Sequence, residues 1–210
     1  GAKFMGTHDR YDFLSEGDSP TFFLLLDSGL RSLEDLTYGG FSGRYALNTT
    51  KKNSKGQQLN YWSPEKDIYV NADGTKTTTE SSWKYIDDIQ NDFAARADWC
   101  ITNDYAKANH APKVSVTEGT DIKASAGETL KLHAIATDSD DDYVTVSWSE
   151  YTDASTTETA LTLKGAASDT ISFKIPEGAK AGQKIHLIVQ AQDDGEHTLT
   201  HYQQVIITIK

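Results

Sequence analysis

Alternating apolar and polar positions dominate the second half of the chain and predict β-strands there. The stretch "ETLKLHAIATD" (128–138) places every second residue on one apolar face, and "YVTVSWSEYTD" (143–153) does the same around Trp148. Similar stretches begin near residues 111, 169, 183 and 199. About seven short strands within roughly 100 residues predict an immunoglobulin-like β-sandwich, with Trp148 buried between the sheets.

The first half of the chain has a different pattern, and its first predicted helix is apolar on all sides. Ser19 precedes Pro20, which suits a helix cap followed by the first helical residue. The helix is predicted from Pro20 to about Ser28, with Gly29 ending it. Its "FFLLL" core (22–26) covers nearly the whole circumference, as in a helix buried inside a larger body. We therefore expect the chain to be the C-terminal part of a longer protein.

A second helix is predicted from Ser81 or Ser82 for about 24 residues, because apolar residues recur there near a 3.6-residue period. These residues are expected to pack in a core: Trp83, Ile86, Phe93, Ala97, Cys100 and Ile101. Two polar stretches between the helices, "KKNSKGQQ" (51–58) and "NADGTKTTTE" (71–80), are predicted to be surface loops.

The boundary between the two patterns lies near residue 110. Asn109 can end a helix, and Pro112 cannot continue one. We expect a helical and irregular segment over 1–110 and an all-β segment over 111–210, which makes the chain α+β overall.

Composition excludes several classes of partner. Lys and Arg number 20 against 31 Asp and Glu, for a net charge of −11, so the chain lacks the basic footprint that nucleic acid or an anionic membrane surface requires. No apolar run approaches the roughly 18 residues of a transmembrane helix. Cys100 is the single cysteine, so no disulfide can form within the chain.

Two acidic stretches are candidate metal ligands. "DSDDD" (138–142) follows one predicted strand, and "DDGE" (193–196) follows another. In a sandwich of this kind both loops lie at the same end, which would crowd their carboxylates. Calcium takes six to eight oxygen ligands and suits such a cluster, although a solvated acidic rim is the alternative. The candidate ligands are Asp138, Asp140, Asp142, Asp193 and Asp194, with Asp141 beside them.

Aromatic residues and one arginine in the first segment are candidate ligand contacts. Tyr61 and Trp62 are neighbours in "NYWSPEKDIYV", and Phe41 lies in the glycine-rich "YGGFSGRY". Such aromatics can stack on sugar faces or simply pack against one another. Arg44 could bind a carboxylate or phosphate, or form a structural ion pair.

Asp18 precedes the first helix and has two interpretations. If Ser19 is the cap, the Asp18 carboxylate is free for chemistry. Alternatively, Asp18 complements the helix dipole or is itself the cap.

Several motifs together resemble one bacterial family, described as cellulose-binding. Its members carry a nucleoside-hydrolase-like domain followed by an immunoglobulin-like domain, and the chain resembles their C-terminal half. The chain departs from the family at Phe41 and Ser42, where Trp and Gly are expected. The motifs, in order, are "EGDSPTFFLLLDSGL", "GGFSGRY", "NDFAARADWC", "ANHAPKVSV" and "AQDDGEHTLTHYQQVIITI".

The resemblance bears on Asp18 as well. Nucleoside hydrolases carry a His-Asp pair before a hydrophobic helix, and that Asp binds the catalytic calcium. In "GDSPTFFLLL", Asp18 takes the Asp position and Gly17 stands in place of the His. The resemblance thus implies a metal ligand at Asp18 without the leaving-group acid, and no hydrolase activity is expected from this chain.

Two functions follow from the resemblance. The first is a non-catalytic protein, secreted, periplasmic or on the cell surface, that binds a cellulose-type polysaccharide. The second is the tail of a calcium-dependent glycosidic hydrolase whose catalytic residues lie mostly upstream. In either case the missing N-terminal part of the same protein would be a partner.

Overall fold

A computed structural model describes residues 19–210. The described part starts with the short helix α1 (Ser19–Phe22) and a 3₁₀ turn (Phe23–Leu25). The predicted helix to Ser28 is therefore wrong in length, because Leu26 already has extended backbone angles. Phe22 and Leu25 are 62% and 66% exposed. The described residues therefore cover the apolar run only in part, through contacts to Phe23 and Leu26.

Two β-hairpins follow α1. Strand β1 (Tyr45–Asn48) pairs with β2 (Tyr61–Pro64), and β3 (Lys66–Val70) pairs with β4 (Lys76–Glu80). The prediction of a surface loop over 71–80 is wrong for its second half, which forms β4. The turn residues "NADGT" and the run of threonines explain the hairpin, since threonine is β-branched and favours strands.

Helix α2 (Ile86–Ile101) continues from a 3₁₀ turn (Ser81–Tyr85), close to the predicted extent. The predicted core face, however, is exposed in the described structure, and the turn and helix pack through Tyr85, Ile89 and Ala95 instead. The exposed stripe of α2, counted together with the turn before it, comprises Trp83, Ile86, Phe93, Ala97, Cys100 and Ile101. Phe93 and Ile101 are 71% and 85% exposed. The helical period is present, but the prediction that this face packs in a core is wrong for the described residues, none of which covers it.

The second half forms two sheets that share one core. The first sheet has the order β5-β7-β9, and the second has the order β6-β11-β10-β8. The strands are β5 (Lys113–Val116), β6 (Asp121–Ala124), β7 (Thr129–Thr137), β8 (Thr145–Glu150), β9 (Thr170–Lys174), β10 (Lys184–Gln192) and β11 (Thr200–Ile209). Leu132 and Ile171 from the first sheet pack with Leu187 and Ile207 from the second. Trp148 is 4% exposed in this core, as predicted.

Strand β6 was not predicted. It has only four residues and pairs in parallel with the end of β11, from Ile206 opposite Asp121 to Ile209 opposite Ala124. All other strand pairs among the described residues are antiparallel. So short a strand at a sheet edge shows too little alternation to be recognised in sequence.

The two halves are joined by a second hydrophobic cluster. This junction cluster combines Phe41, Tyr85 and Ile89 from the first half with Tyr151, Ile188 and Tyr202 from the second. The rings of Tyr85 and Tyr202 meet edge to face, with centroids 5.6 Å apart. Across the described part of the chain, no helix has both the length and the hydrophobicity of a membrane span.

Candidate metal-binding loops and an exposed tryptophan

The loop after β7 is folded around the carboxylate of Asp138. Its Oδ1 accepts hydrogen bonds from the backbone N–H groups of Asp140 at 2.7 Å and Asp142 at 3.2 Å. Asp141 between them has φ of 63°, a left-handed conformation that Asp tolerates better than most residues. The loop therefore turns tightly and brings alternate carboxylates to one side.

Three carboxylates in this loop converge. One oxygen from each of Asp138, Asp140 and Asp142 lies within 4.8 Å of the others. The second carboxylate oxygen of Asp138 is buried and accepts no hydrogen bond from the described residues. A carboxylate oxygen in that condition is costly unless a cation satisfies it. The cluster therefore has the donor set of a metal site.

The loop after β10 lies beside it, as predicted from the sandwich topology. Asp194 Oδ1 accepts a hydrogen bond from the N–H of Tyr143 at 2.9 Å, which ties the two loops together. Asp193 is only 3% exposed and accepts hydrogen bonds from the N–H groups of Leu199 (2.7 Å) and Gly195 (3.2 Å). Asp193 thus shapes its own loop, and it lies outside the group of three.

Asn109 and His110 also belong to this end of the sandwich, although the sequence showed Asn109 only as a helix stop. Asn109 Nδ2 donates to Asp193 Oδ2 at 3.1 Å and to the carbonyl of Glu196 at 3.0 Å. The N–H of His110 donates to Asp140 Oδ2 at 2.7 Å. Asn109 lines an open cleft of about 780 Å³ together with residues 139–142. The signal available in the sequence was an asparagine directly before a His-Ala-Pro stretch.

Like charges crowd this end. Burial and then the charges of Asp138 and Asp194 raise the pKa of Asp142 above its ordinary value. Burial also raises the pKa of Asp193, although hydrogen bonds from Leu199 and Asn109 oppose the shift. The ionised carboxylates at this end therefore repel one another, and a bound cation would offset that repulsion.

Two of the four predicted ligand contacts, Phe41 and Arg44, are engaged in contacts within the protein. Phe41 is 4% exposed in the junction cluster, where its ring packs against Tyr85 and Tyr202. Arg44 forms an ion pair with Asp67 at 2.6 Å, and Asp67 also accepts a hydrogen bond from the hydroxyl of Tyr151. The structural alternative for Arg44 is thus the one observed.

Trp62 remains available at the surface. It is 45% exposed on β2, directly opposite Leu47 of β1, which is 49% exposed. Beside it an open cleft of about 330 Å³ is lined by residues 32–36, including the carboxylates of Glu34 and Asp35. Tyr61 points to the other face of the strand, where the Lys51 ammonium lies 5.6 Å from its ring centre. The predicted aromatic pair is therefore divided between two faces.

Asp18, the remaining candidate, lies outside the described residues.

Comparison with known proteins identifies two matching family models. Residues 1–45 match the model described as "Cellulose-binding Sde182, nucleoside hydrolase-like domain". Residues 129–209 match "Cellulose-binding protein Sde0182, C-terminal domain". The two models describe parts of one family, and together they match more than half of the chain. No curated protein sequence matches.

One solved structure is similar over almost the whole chain. It is a nucleoside hydrolase-related hypothetical protein from Saccharophagus degradans that is associated with carbohydrate metabolism. The identity is 26% and the TM-score is 0.76, over 97% of this chain and 49% of that one. This chain therefore spans about half the length of that protein. The three N-terminal domains of the bacteriophage RB49 Hoc protein match 47% of this chain and 30% of theirs, at 19% identity and a TM-score of 0.33, too weakly to support a conclusion.

Proposed function

We propose, on the premise that this chain belongs to the Sde182 family of cellulose-binding proteins, that it binds a cellulose-type polysaccharide and does not cleave it. The observation that carries the proposal is the half-exposed indole of Trp62 beside a cleft that Glu34 and Asp35 border. A protein with this ligand would act where the polysaccharide is, in secreted form, in the periplasm or on the cell surface.

The surface around Trp62 has the chemistry that a sugar ring requires. An indole presents a broad apolar face, on which the C–H face of a pyranose can stack. Glu34 and Asp35 border the adjacent cleft and offer carboxylate oxygens to sugar hydroxyls. Leu33 and Leu47 add exposed apolar area on either side. A stacking platform with a few polar groups is the usual composition of a small-molecule site.

The test is a pull-down on insoluble cellulose with a matched pair of tryptophan variants. Trp62→Ala should lose most of the binding, because it removes the stacking face. Trp83→Ala should bind like the original protein, since Trp83 is similarly exposed at 54% but lies on the turn before α2. Equal retention of both variants on cellulose, or no binding by the original chain, would contradict the proposal.

A second function is favoured by the match of residues 1–45 to a nucleoside hydrolase-like domain. In this alternative the chain supplies the tail of a calcium-dependent glycosidic hydrolase. The exposed stripe of α2, together with Phe22 and Leu25, would then pack against the rest of that domain. This chain alone should hydrolyse neither nucleosides nor aryl glycosides in calcium buffer. Cleavage of N- or O-glycosides by the full-length protein, with this chain remaining in the supernatant of the cellulose pull-down, would favour the enzyme over the binding protein.

Calcium is the ion we expect at the acidic loops. The converging donors are carboxylate oxygens, which hard cations such as calcium and magnesium prefer. Calcium accepts irregular sets of six to eight oxygens more readily than magnesium, which demands octahedral geometry. The loops offer an irregular set.

A further inference from the structure

A buried carboxamide oxygen lies beside the acidic cluster without a partner. Asn109 is 8% exposed, and its Nδ2 makes two hydrogen bonds, which fixes the orientation of the amide. Its Oδ1 is buried and accepts no hydrogen bond from any described residue. Burying an amide oxygen without a hydrogen bond costs free energy unless a ligand binds to it. This observation is independent of the carboxylates.

The Asn109 carboxamide and the Asp142 carboxylate border the same point of the structure. A side chain at Gly195 would collide with Oδ2 of Asp142 and with Nδ2 and Cγ of Asn109, so the glycine leaves room for these two side chains to lie close together. Asp142 also belongs to the converging group with Asp138 and Asp140. Among the described residues, the two buried acceptors without partners, Asn109 Oδ1 and Asp138 Oδ2, belong to adjoining segments, since the N–H of His110 donates to Asp140 Oδ2 and Asn109 lines the same cleft as residues 139–142.

We propose that one calcium ion binds Asp138, Asp140 and Asp142 together with the side-chain oxygen of Asn109, and that it thereby fastens the segment before β5 to the end of the sandwich. The inference rests on the calcium binding proposed above and is independent of polysaccharide binding. Water would complete the six to eight ligands, as is common for calcium.

The position of Asn109 gives the ion a mechanical consequence. Asn109 lies between α2 and β5, and its carbonyl accepts a hydrogen bond from the indole of Trp99 in α2 at 2.8 Å. The ring of the next residue, His110, stacks on Tyr105 with centroids 3.6 Å apart. An ion held by Asn109 would thus fix the end of α2 relative to the loop after β7. Removing the ion would leave four carboxylates, including Asp141, repelling one another at this junction.

The first experiment is a calcium titration of the intact chain after removal of divalent ions, followed by thermal unfolding. An ion that binds only the folded state raises Tm, by roughly 5–10 °C at a hundredfold excess over Kd. Magnesium should produce a smaller rise. No rise at about 10 mM calcium, well above the roughly 0.1–1 mM Kd of extracellular calcium modules, would overturn the proposal.

A pair of neighbouring variants separates a defined site from general attraction. Asp142→Asn removes a ligand charge and should weaken calcium binding at least about tenfold. Asp141→Asn removes the same charge from the same loop, and Asn accepts the positive φ found there. It should retain the calcium-induced rise in Tm. Equal loss in both variants would mean a diffuse acidic surface, and the site would be wrong.

The role of Asn109 is tested by amide hydrogen exchange with and without calcium. Exchange should slow both in residues 138–143 and in residues 108–110. Protection of residues 138–143 alone would leave calcium binding intact and overturn the fastening by Asn109. The cellulose pull-down is unaffected by either outcome, so the two proposals fail separately.

Discussion

His186 is a neutral histidine enclosed within the fold. It is 2% exposed on β10, and its Nδ1 accepts a hydrogen bond from Gln204 Nε2 at 3.2 Å. The ring of Tyr38 packs against it edge to face, with centroids 5.0 Å apart. Burial, reinforced by the charges of Lys184 and Arg31, lowers the pKa of His186 from 6.5 to about 4. Protonation therefore opposes folding.

The lowered pKa of His186 predicts that the folded protein loses stability in acid. In the unfolded chain the histidine protonates near pH 6.5, whereas in the folded protein it does so only near pH 4. The neutral histidine contributes about 3 kcal/mol to the free energy of unfolding above pH 6.5, and this contribution is lost as the pH falls toward 4. His186→Asn keeps an acceptor for Gln204 but cannot protonate, so its stability should fall less between these pH values. Urea unfolding of both proteins across this range measures the difference. Parallel profiles would contradict the pKa shift.

The sequence identified Arg44 as a candidate residue but left two roles open for it. Its sequence neighbours permitted a ligand contact or an ion pair. Its role was decided by Asp67, which lies 23 positions away and is 1% exposed. Lys84 approaches the same carboxylate at 3.7 Å. Such a partner is set by tertiary packing, which no local pattern encodes. Asn109 was missed for the same reason.

At the scale of elements, the alternating strands were the most predictable part. Strands β7 to β11 have alternating or continuous apolar residues because their inner faces form one core, so the sequence pattern indicates which residues are buried. The prediction of a helical and irregular first segment is wrong for strands β1 to β4, which were missed because they are short or polar and contribute nothing to that core. Strand β6 was missed because only Ile122 and Ala124 of its four residues pack in the core. The first helix was predicted too long because the burial that an all-round apolar helix requires is absent from the described residues.

The two faces of α2 should respond oppositely to truncation. Ile89→Ala removes a side chain that is 4% exposed in the junction cluster and should cost about 2–4 kcal/mol of unfolding free energy. Phe93→Ala removes a larger side chain that is 71% exposed and should change stability by less than about 0.5 kcal/mol. Denaturant unfolding of both variants provides the comparison. A large loss in Phe93→Ala would mean that the exposed stripe is covered in solution, for example by a second copy.

At the scale of the whole molecule, the junction cluster binds the two halves into one unit. Tyr85 and Phe41 from the first half contact Tyr202 from the second, with ring centroids 5.6 to 6.1 Å apart. The ion pair of Lys84 with Asp153 also crosses the boundary, and so does the hydrogen bond that the Tyr151 hydroxyl donates to Asp67. The predicted boundary at residue 110 rests on composition, whereas the packing is continuous across it.

This packing predicts a single thermal transition. Phe41→Ala opens a cavity in the junction cluster and should lower the temperature of that one transition, since both halves lose the contact together. Calorimetry in a calcium-free buffer checks this, with Trp83→Ala as a control that leaves the cluster intact. Two separate transitions in the original protein, with only the earlier one shifted by Phe41→Ala, would contradict a shared unit.

The exposed stripe of α2 contains the chain's single cysteine, Cys100, and this has a practical consequence. A maleimide dye attached to that sulfur labels one defined location without any engineered change in sequence. Its emission would brighten or shift when another polypeptide lies over the helix, and the alkylation rate of the bare thiol would drop in the same circumstance. A label on Cys100 therefore reports directly on any polypeptide that covers the exposed stripe of α2.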